Sequence, residues 1–373
     1  MKLLYIINSR MPTEKAHGFQ IAKMCESFAS KNIEVELVVS KRKNKIKEDV
    51  FSYYRLKDNF KLTYLPCLDL VRFNLGKLGL AVQMVSFLVI AKIYTLSNKY
   101  DVLYTREQEL AGLFFNNYIL EMHYFPEKIT YFHKKCWQKA AALVVLTSCI
   151  KKQLEKYGVD SKKILISPDG VDLDKFNPDI SQLDARQKVN LPLSKKIILY
   201  TGSFYFGWKG ADIFLETEKY LDNDCLLVLI GGSEEEIKDL KEKYPSAKIV
   251  LVSRKPREIV SYYQKAADVL VLPNKKGEKI SEEYTSPLRL FEHMASGRPI
   301  VASDLPSIRE ILNENNAVLV EPNQSLQLAA GIEKVIKDQN LSKRIAQQAQ
   351  SDVAKYSWQN RAKNILNFIN DKI

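Results

Sequence analysis

Apolar runs of strand length recur along the chain, each followed by a stretch long enough for a helix. Residues 3–7, 35–39, 102–104, 119–121 and 143–146 form one series. Residues 197–200, 226–230, 248–251, 269–272 and 299–302 form a second. Short β-rich runs separated by helical stretches predict parallel sheets covered by helices on both faces. Two patterns differ. Residues 78–93 are apolar except for Gln83, Ser86 and Lys92. They fall short of the ~20 residues a bilayer span needs, so the run reads as a buried core helix. Lys77, Lys92 and Lys99 flank it and leave an interfacial helix open. Near the end of the chain, Ala362, Ile365, Leu366 and Ile369 make one apolar stripe at helical spacing.

Two series of strands point to two Rossmann-like domains rather than one eight-stranded barrel, and 373 residues exceed what one ordinary core needs. The turn at Asn177-Pro178-Asp179 and the approach Asn190-Leu191-Pro192 place the boundary between them. The expected domains are residues 1–180 and 190–355, with a C-terminal helix over about 356–373 returning to the first. No internal repeat or low-complexity tract interrupts this plan.

The hydrophobic content of 46% and charged content of 27% are those of a soluble globular protein. Five scattered cysteines without a C-x-x-C pair argue against a disulfide framework or zinc knuckle and for a reducing compartment. The apolar run after Met1-Lys2 is too short for a signal peptide, so the expected location is the cytoplasm, with a peripheral position at the inner face of the membrane as an extension. The net charge of +12 is concentrated in residues 1–180, which carry +9. Its densest cluster is Lys41-Arg42-Lys43-Asn44-Lys45-Ile46-Lys47, expected in a loop. A basic half suits an anionic partner, whether nucleic acid, a membrane surface or a phosphorylated acceptor, and equally suits plain solubility. Neither stacking aromatics nor a docking helix accompanies the cluster, so no nucleic-acid partner is expected.

The most informative window runs from Tyr284 to Ala302 and contains Ser286-Pro287-Leu288-Arg289, Glu292 and Gly297. Ser286 suits an N-cap, Pro287 the first helical position and Gly297 the residue past the end. A helix opening at Ser286 would present unpaired N–H groups and the positive end of its dipole to an anion. Arg289 in the first turn could add a charge-assisted contact, and Glu292, about two turns in, could accept hydrogen bonds from ribose hydroxyls. The capping grammar alone fits a purely structural helix equally well. Asp172-Leu173-Asp174 spells D-x-D, but inside a turn where a metal role is not expected. No P-loop, zinc-protease or dinucleotide-binding signature is present.

The window resembles the donor-binding signature of glycosyltransferase family 4, in the subgroup reading S-P-L-[KR]-x-x-E-[YH]-M-A-x-G-[KR]-P-I-V-A. The resemblance continues in Arg10-Met11-Pro12-Thr13-Glu14-Lys15-Ala16-His17-Gly18, Leu120-Glu121-Met122-His123, Pro168-Asp169-Gly170-Val171-Asp172, Tyr200-Thr201-Gly202-Ser203 with Trp208-Lys209-Gly210, Leu229-Ile230-Gly231-Gly232, Ala267-Asp268 and Ser357-Trp358. Each is weak alone; their order and spacing are specific. The resemblance implies a GT-B fold, two Rossmann-like domains facing across a cleft, and a retaining, metal-independent glycosyltransferase without cofactor. A nucleoside-diphosphate sugar would meet Gly18, Gly202, Ser203, Lys209, Ser286, Pro287, Leu288, Arg289 and Glu292. His123, Lys209 and Arg289 would carry catalysis, and His17 and Arg106 would lie on the acceptor side, where a glycan or lipid-linked acceptor binds. Such enzymes serve surface polysaccharide and glycoconjugate synthesis.

Two positions depart from the family pattern. Ser203 stands where the family usually has Arg. Tyr284 stands where it has the first of two glutamates, with Glu282 and Glu283 just before it. A shifted loop could bring either glutamate into place, or the sugar could be held differently. A third reading is a catalytically impaired GT-B partner subunit, and a fourth, weaker one is an anion- or nucleic-acid-binding protein.

Overall fold

The structure, a computed structural model, describes residues 1–73, 75–109, 111–204, 207–370 and 372. It divides into two units, one made of residues 1–167 with 358–373, the other of residues 168–357.

The first unit is built on β1 (Lys2–Ile7), β2 (Glu34–Ser40), β3 (Lys61–Leu65), β4 (Val102–Thr105), β5 (Tyr118–Met122), β6 (Ala140–Val145) and β7 (Ile164–Ile166). Their order is β3-β2-β1-β4-β5-β6-β7, and every neighbouring pair is parallel. Leu3, Leu4, Tyr5 and Ile6 of β1 are fully buried, as a central strand covered on both faces requires. The helix Trp358–Asn370 packs on Ala16–Ala29 and closes this core. Its stripe of Ala362, Ile365, Leu366 and Ile369 is buried, and Trp358 meets Phe19 edge-on at 6.3 Å between ring centroids. Of the expected terminal helix, Asp371 and Ile373 lie outside the described residues.

The second unit is built on β8 (Lys196–Thr201), β9 (Cys225–Gly232), β10 (Ile249–Ser253), β11 (Val269–Leu272), β12 (Ile300–Ser303) and β13 (Val318–Val320). The order is β10-β9-β8-β11-β12-β13, again all parallel. Both sheets are open, and each has a point where the strand order reverses, β1/β4 in one and β8/β11 in the other. Ligands of open α/β sheets bind outside the carboxyl ends of the strands at such points.

Three strands escape the sequence pattern. β3 is a half-exposed edge strand of mixed polarity, and β7 and β13 span only three residues each. The run at 78–93 is also corrected. It belongs to a helix of 22 residues, Gly76–Ser97, long enough to cross a bilayer, and it is not a core helix. Gln83, Phe87, Leu88 and Ala91 face inward, while Leu78, Val85, Val89, Ile93 and Leu96 face out. The loop at residues 41–49 carries the basic cluster, and all five cysteines are free.

Candidate functional site

At the β8/β11 reversal, two loops and one helix converge. The loop after β8 opens with Gly202 at φ +140°, beneath which the Gly202 amide donates to the Ile230 carbonyl over 2.8 Å. Gly231, at φ +126°, lies so close that a Cβ on it would overlap the Gly202 carbonyl. The two glycines thus let adjacent strand ends approach without side chains. Further along, Lys209 Nζ donates to Ser203 Oγ at 2.9 Å. Burial, then the charges of Arg289 and Arg254, lower the Lys209 ammonium to about 8. Its environment disfavours the charged form.

Arg289 braces this loop against the next strand. Its guanidinium donates to the Thr201 carbonyl (3.1 Å), Asn274 Oδ1 (2.5 Å) and the Lys209 carbonyl (3.4 Å), and lies over the Tyr200 ring, 5.0 Å from the centroid. One side chain therefore ties the ends of β8 and β11 to the helix that carries it. His293 adds a second tie through Nε2 to Thr201 Oγ1 at 3.0 Å; burial, with Arg289, lowers its imidazole to about 3.

The helix itself corrects the capping expectation. It runs Leu288–Ala295, with Pro287 in the N-cap position at ψ 125°, and no side chain caps it. Ser286 instead turns its hydroxyl back to accept the Asp169 amide at 2.9 Å. Gly297 takes φ +67° just past the C-terminus, as expected of a residue in that place. Glu292 lies one turn after Leu288, rather than two turns into the helix. It is buried and ion-paired with Arg257, and burial raises its carboxyl despite that pairing. Tyr284 ends a single π-turn, Ile280–Tyr284, with its side chain buried; Glu282 folds back to accept the Gly277 amide at 2.7 Å. The D-x-D residues sit at a short helix, Leu173–Phe176, where Lys175 pairs with Asp172 at 3.9 Å.

The first unit assembles the remaining candidates around a carboxylate that sequence reasoning passed over. Glu121 lies near the end of β5 and His123 just past it, two residues on. Glu121 Oε1 accepts from His123 Nε2 (2.7 Å), Arg361 (2.8 Å) and Arg106 (3.1 Å), while Oε2 accepts from the Tyr104 hydroxyl at 2.7 Å. The two guanidiniums hold this buried carboxyl well below its ordinary range in spite of burial. Burial and Arg106 lower His123 to about 4, overriding the attraction of Glu121. A neutral imidazole bonded to an ionised carboxylate carries its proton on Nε2 and keeps Nδ1 as an acceptor. Arg106 also reaches Gln20 Oε1 at 3.0 Å. His17 is exposed, with Nε2 3.2 Å from Ser9 Oγ. Gly18 is buried, and a Cβ there would overlap the Tyr54 hydroxyl and Thr13, so its smallness serves packing.

Two further residues carry no motif. Arg254 follows β10 and contributes to the field at Lys209, supplying positive charge near the loop in which Ser203 replaces a family arginine. Glu107, past the end of β4, accepts the Asn8 amide at 2.7 Å, and burial raises its carboxyl to about 7. Arg254 could have been noticed from its place after a strand; nothing in the local sequence marks Glu107.

Comparison with known proteins bears on this geometry. The family described as Glycosyl transferases group 1 matches residues 181–352, the span containing Gly202, Lys209, Arg289 and Glu292. The second unit is thus similar to group 1 glycosyltransferase domains. A D-inositol 3-phosphate glycosyltransferase of Corynebacterium urealyticum is 28% identical over 271 residues, 67% of this chain and 62% of that protein. The chain thus spans less than two thirds of the length of that curated relative. Among solved structures, sucrose-phosphate synthase of Thermosynechococcus elongatus aligns with a TM-score of 0.78 at 19% identity, over 100% of this chain and 99% of that one. HepE of Anabaena in complex with UDP-glucose aligns at 0.74 and 14% identity over 100% of both chains. These likenesses establish that the whole chain shares the two-Rossmann GT-B fold.

Proposed function

We propose that the protein is a retaining, metal-independent glycosyltransferase that moves a sugar from a nucleoside-diphosphate sugar to a glycan, lipid-linked or phosphorylated acceptor in glycoconjugate synthesis. The observation that carries the reading is the cradle at the β8/β11 reversal. Gly202 leaves backbone room there, and Lys209 is an ammonium held down to about 8 beside Arg289 and Arg254. The similarity to a UDP-glucose-binding structure and to relatives named as glycosyltransferases supports it.

In this reading the diphosphate lies against Gly202, Lys209 and the uncapped start of the helix Leu288–Ala295. Departure of the sugar concentrates negative charge on the leaving phosphate. Lys209 and the first-turn N–H groups stabilise that charge more than they stabilise the spread charge of the ground state. Arg289, with its donors engaged by Thr201, Asn274 and Lys209, holds the cradle in shape and adds its field. The leaving phosphate accepts the acceptor's hydroxyl proton. On the acceptor side, His123 offers Nδ1 to a sugar hydroxyl, and Arg106 adds positive charge. Glu292 accepts from ribose hydroxyls in exchange for part of its pairing with Arg257.

The test is a thermal-shift panel of UDP-, GDP-, ADP- and CMP-sugars, followed by transfer assays with the donor that stabilises. One nucleotide class should stabilise selectively. A buried Tyr284 in place of the family's first glutamate favours a second reading, a non-catalytic partner subunit. Donor hydrolysis or transfer above background excludes that second reading, whereas no stabilisation by any nucleotide defeats the first.

A further inference from the structure

The helix Gly76–Ser97 presents the wrong face to water. A surface helix ordinarily turns apolar residues inward and charged ones outward. Here Leu78, Val85, Val89, Ile93 and Leu96 fall at helical spacing along the outer face, with Leu78 71%, Ile93 58% and Leu96 74% exposed. Leu68, Phe73 and Leu75 extend the apolar surface past its N-terminal end. Exposed apolar side chains aligned over about 27 Å of helix, from Leu78 to Leu96, form a contiguous stripe rather than scattered single residues.

Along this stretch of the sequence the charge has one sign. No acidic residue occurs between Asp69 and Asp101, whereas Arg72, Lys77, Lys92 and Lys99 do. The structure also brings the basic loop to the same place. Arg42 pairs with Asp69 at 3.4 Å, the Lys43 amide donates to Asp69 Oδ2 at 3.3 Å, and the next residue back, Leu68, donates its amide to Ser86 Oγ of the helix at 3.0 Å. Lys41, Lys43, Lys45 and Lys47 remain exposed.

We propose that this face docks the protein on an anionic phospholipid surface, with the helix lying in the interfacial plane and the basic loop over the headgroups. The helix does not span. Its inner face is fixed to the first unit by Gln83, which exchanges hydrogen bonds with Asn8 at 3.0 and 2.7 Å, and by the Tyr94 hydroxyl on Glu36 at 2.5 Å. A large apolar stripe rimmed by lysines is the composition of an interfacial anchor, in which area and charge both contribute to binding. Docking needs no donor, so its failure and the failure of the transferase reading are separate results.

The experiment is co-sedimentation of the full chain with vesicles of phosphatidylcholine alone and of phosphatidylcholine with one part in three phosphatidylglycerol. Binding should occur on the mixed vesicles and weaken with salt. Val85→Ser/Val89→Ser/Ile93→Ser, which alters exposed positions only, should reduce the partition coefficient about a hundredfold with an unchanged circular dichroism spectrum. Lys43→Glu/Lys45→Glu, outside the helix, should reduce it about tenfold or more and holds the test open if the triple variant misfolds. Equal binding to both vesicles, binding unaffected by either variant, or no binding at all overturns the proposal. So does self-association in solution that the triple variant abolishes, which would make a second copy the occupant.

Discussion

Replacing Lys209 by Met should make the protein more stable and less able to hold a diphosphate. The side chain keeps its length and apolar stem but loses its charge. In the ligand-free protein the ammonium is lowered from 10.5 to about 8, with burial the largest cause. Each pH unit of lowering corresponds to about 1.4 kcal/mol, and discounting for partial exposure leaves roughly 1–2 kcal/mol against the folded state. The sign follows from linkage. Because the folded value lies below the unfolded one, the penalty is fully present below about 8, shrinks as pH rises from there, and is gone above 10.5. At neutral pH the Lys209→Met variant should therefore melt about 3–6 °C higher, and the difference should close in alkaline buffer. Inorganic pyrophosphate, which carries the diphosphate without a base, should show the opposite preference. Loss of one charge-assisted contact of about 1.5–3 kcal/mol weakens binding roughly 10- to 100-fold. Calorimetry in buffers of different ionisation enthalpy should record proton uptake by the wild type at alkaline pH and none by the variant. A variant that melts lower and binds pyrophosphate as the wild type does would refute the argument.

Glu121→Gln leaves Arg361 and Arg106 facing a neutral amide in a buried site and should lower stability by about 3–5 kcal/mol in denaturant titrations. Because the folded carboxyl titrates well below its ordinary value, the stability it contributes is fully present above the ordinary carboxylate range and is lost progressively as the wild type is acidified below that range toward the lower folded value. His123, lowered to about 4, should give an imidazole NMR resonance that does not titrate between pH 5.5 and 8; movement near 6.5 would contradict its burial. Gly210, at φ +70°, faces the Pro273 carbonyl where a Cβ would overlap it, so Gly210→Ala should cost about 2–4 kcal/mol, read as a lower melting temperature.

Strands whose neighbours cover both faces announce themselves as unbroken Ile, Leu and Val, which is why β1, β8 and β11 stand out in the sequence while β3, β7 and β13 do not. β3 lacks that composition, and β7 and β13, though apolar, are only three residues long. The glycines and the lysine after β8 are legible for a related reason, since a tight approach of strand ends permits few residue types. Pairings between distant residues are not legible: Arg361 reaches Glu121 from 240 positions away, and Arg257 reaches Glu292 from 35. Ser286 misled because a serine before a proline satisfies capping grammar, and only the fold reveals that the Asp169 amide takes its hydroxyl. The run at 78–93 misled because apolar density along a line does not say which face of a helix is covered.

The first unit is assembled from two separated pieces of chain, and its buried carboxylate receives one of its two guanidiniums from the later piece. Synthesis proceeds from the N-terminus, so residues 1–167 leave the ribosome with Glu121 countered by Arg106 alone and with Phe19 lacking Trp358. Residues 168–357 are contiguous and can fold as soon as they emerge. The usual order of domain maturation is thereby inverted. The unit begun first is the last to be finished, and a chain cut after residue 357 would hold every residue of the second unit beside a first unit that lacks Trp358 and Arg361.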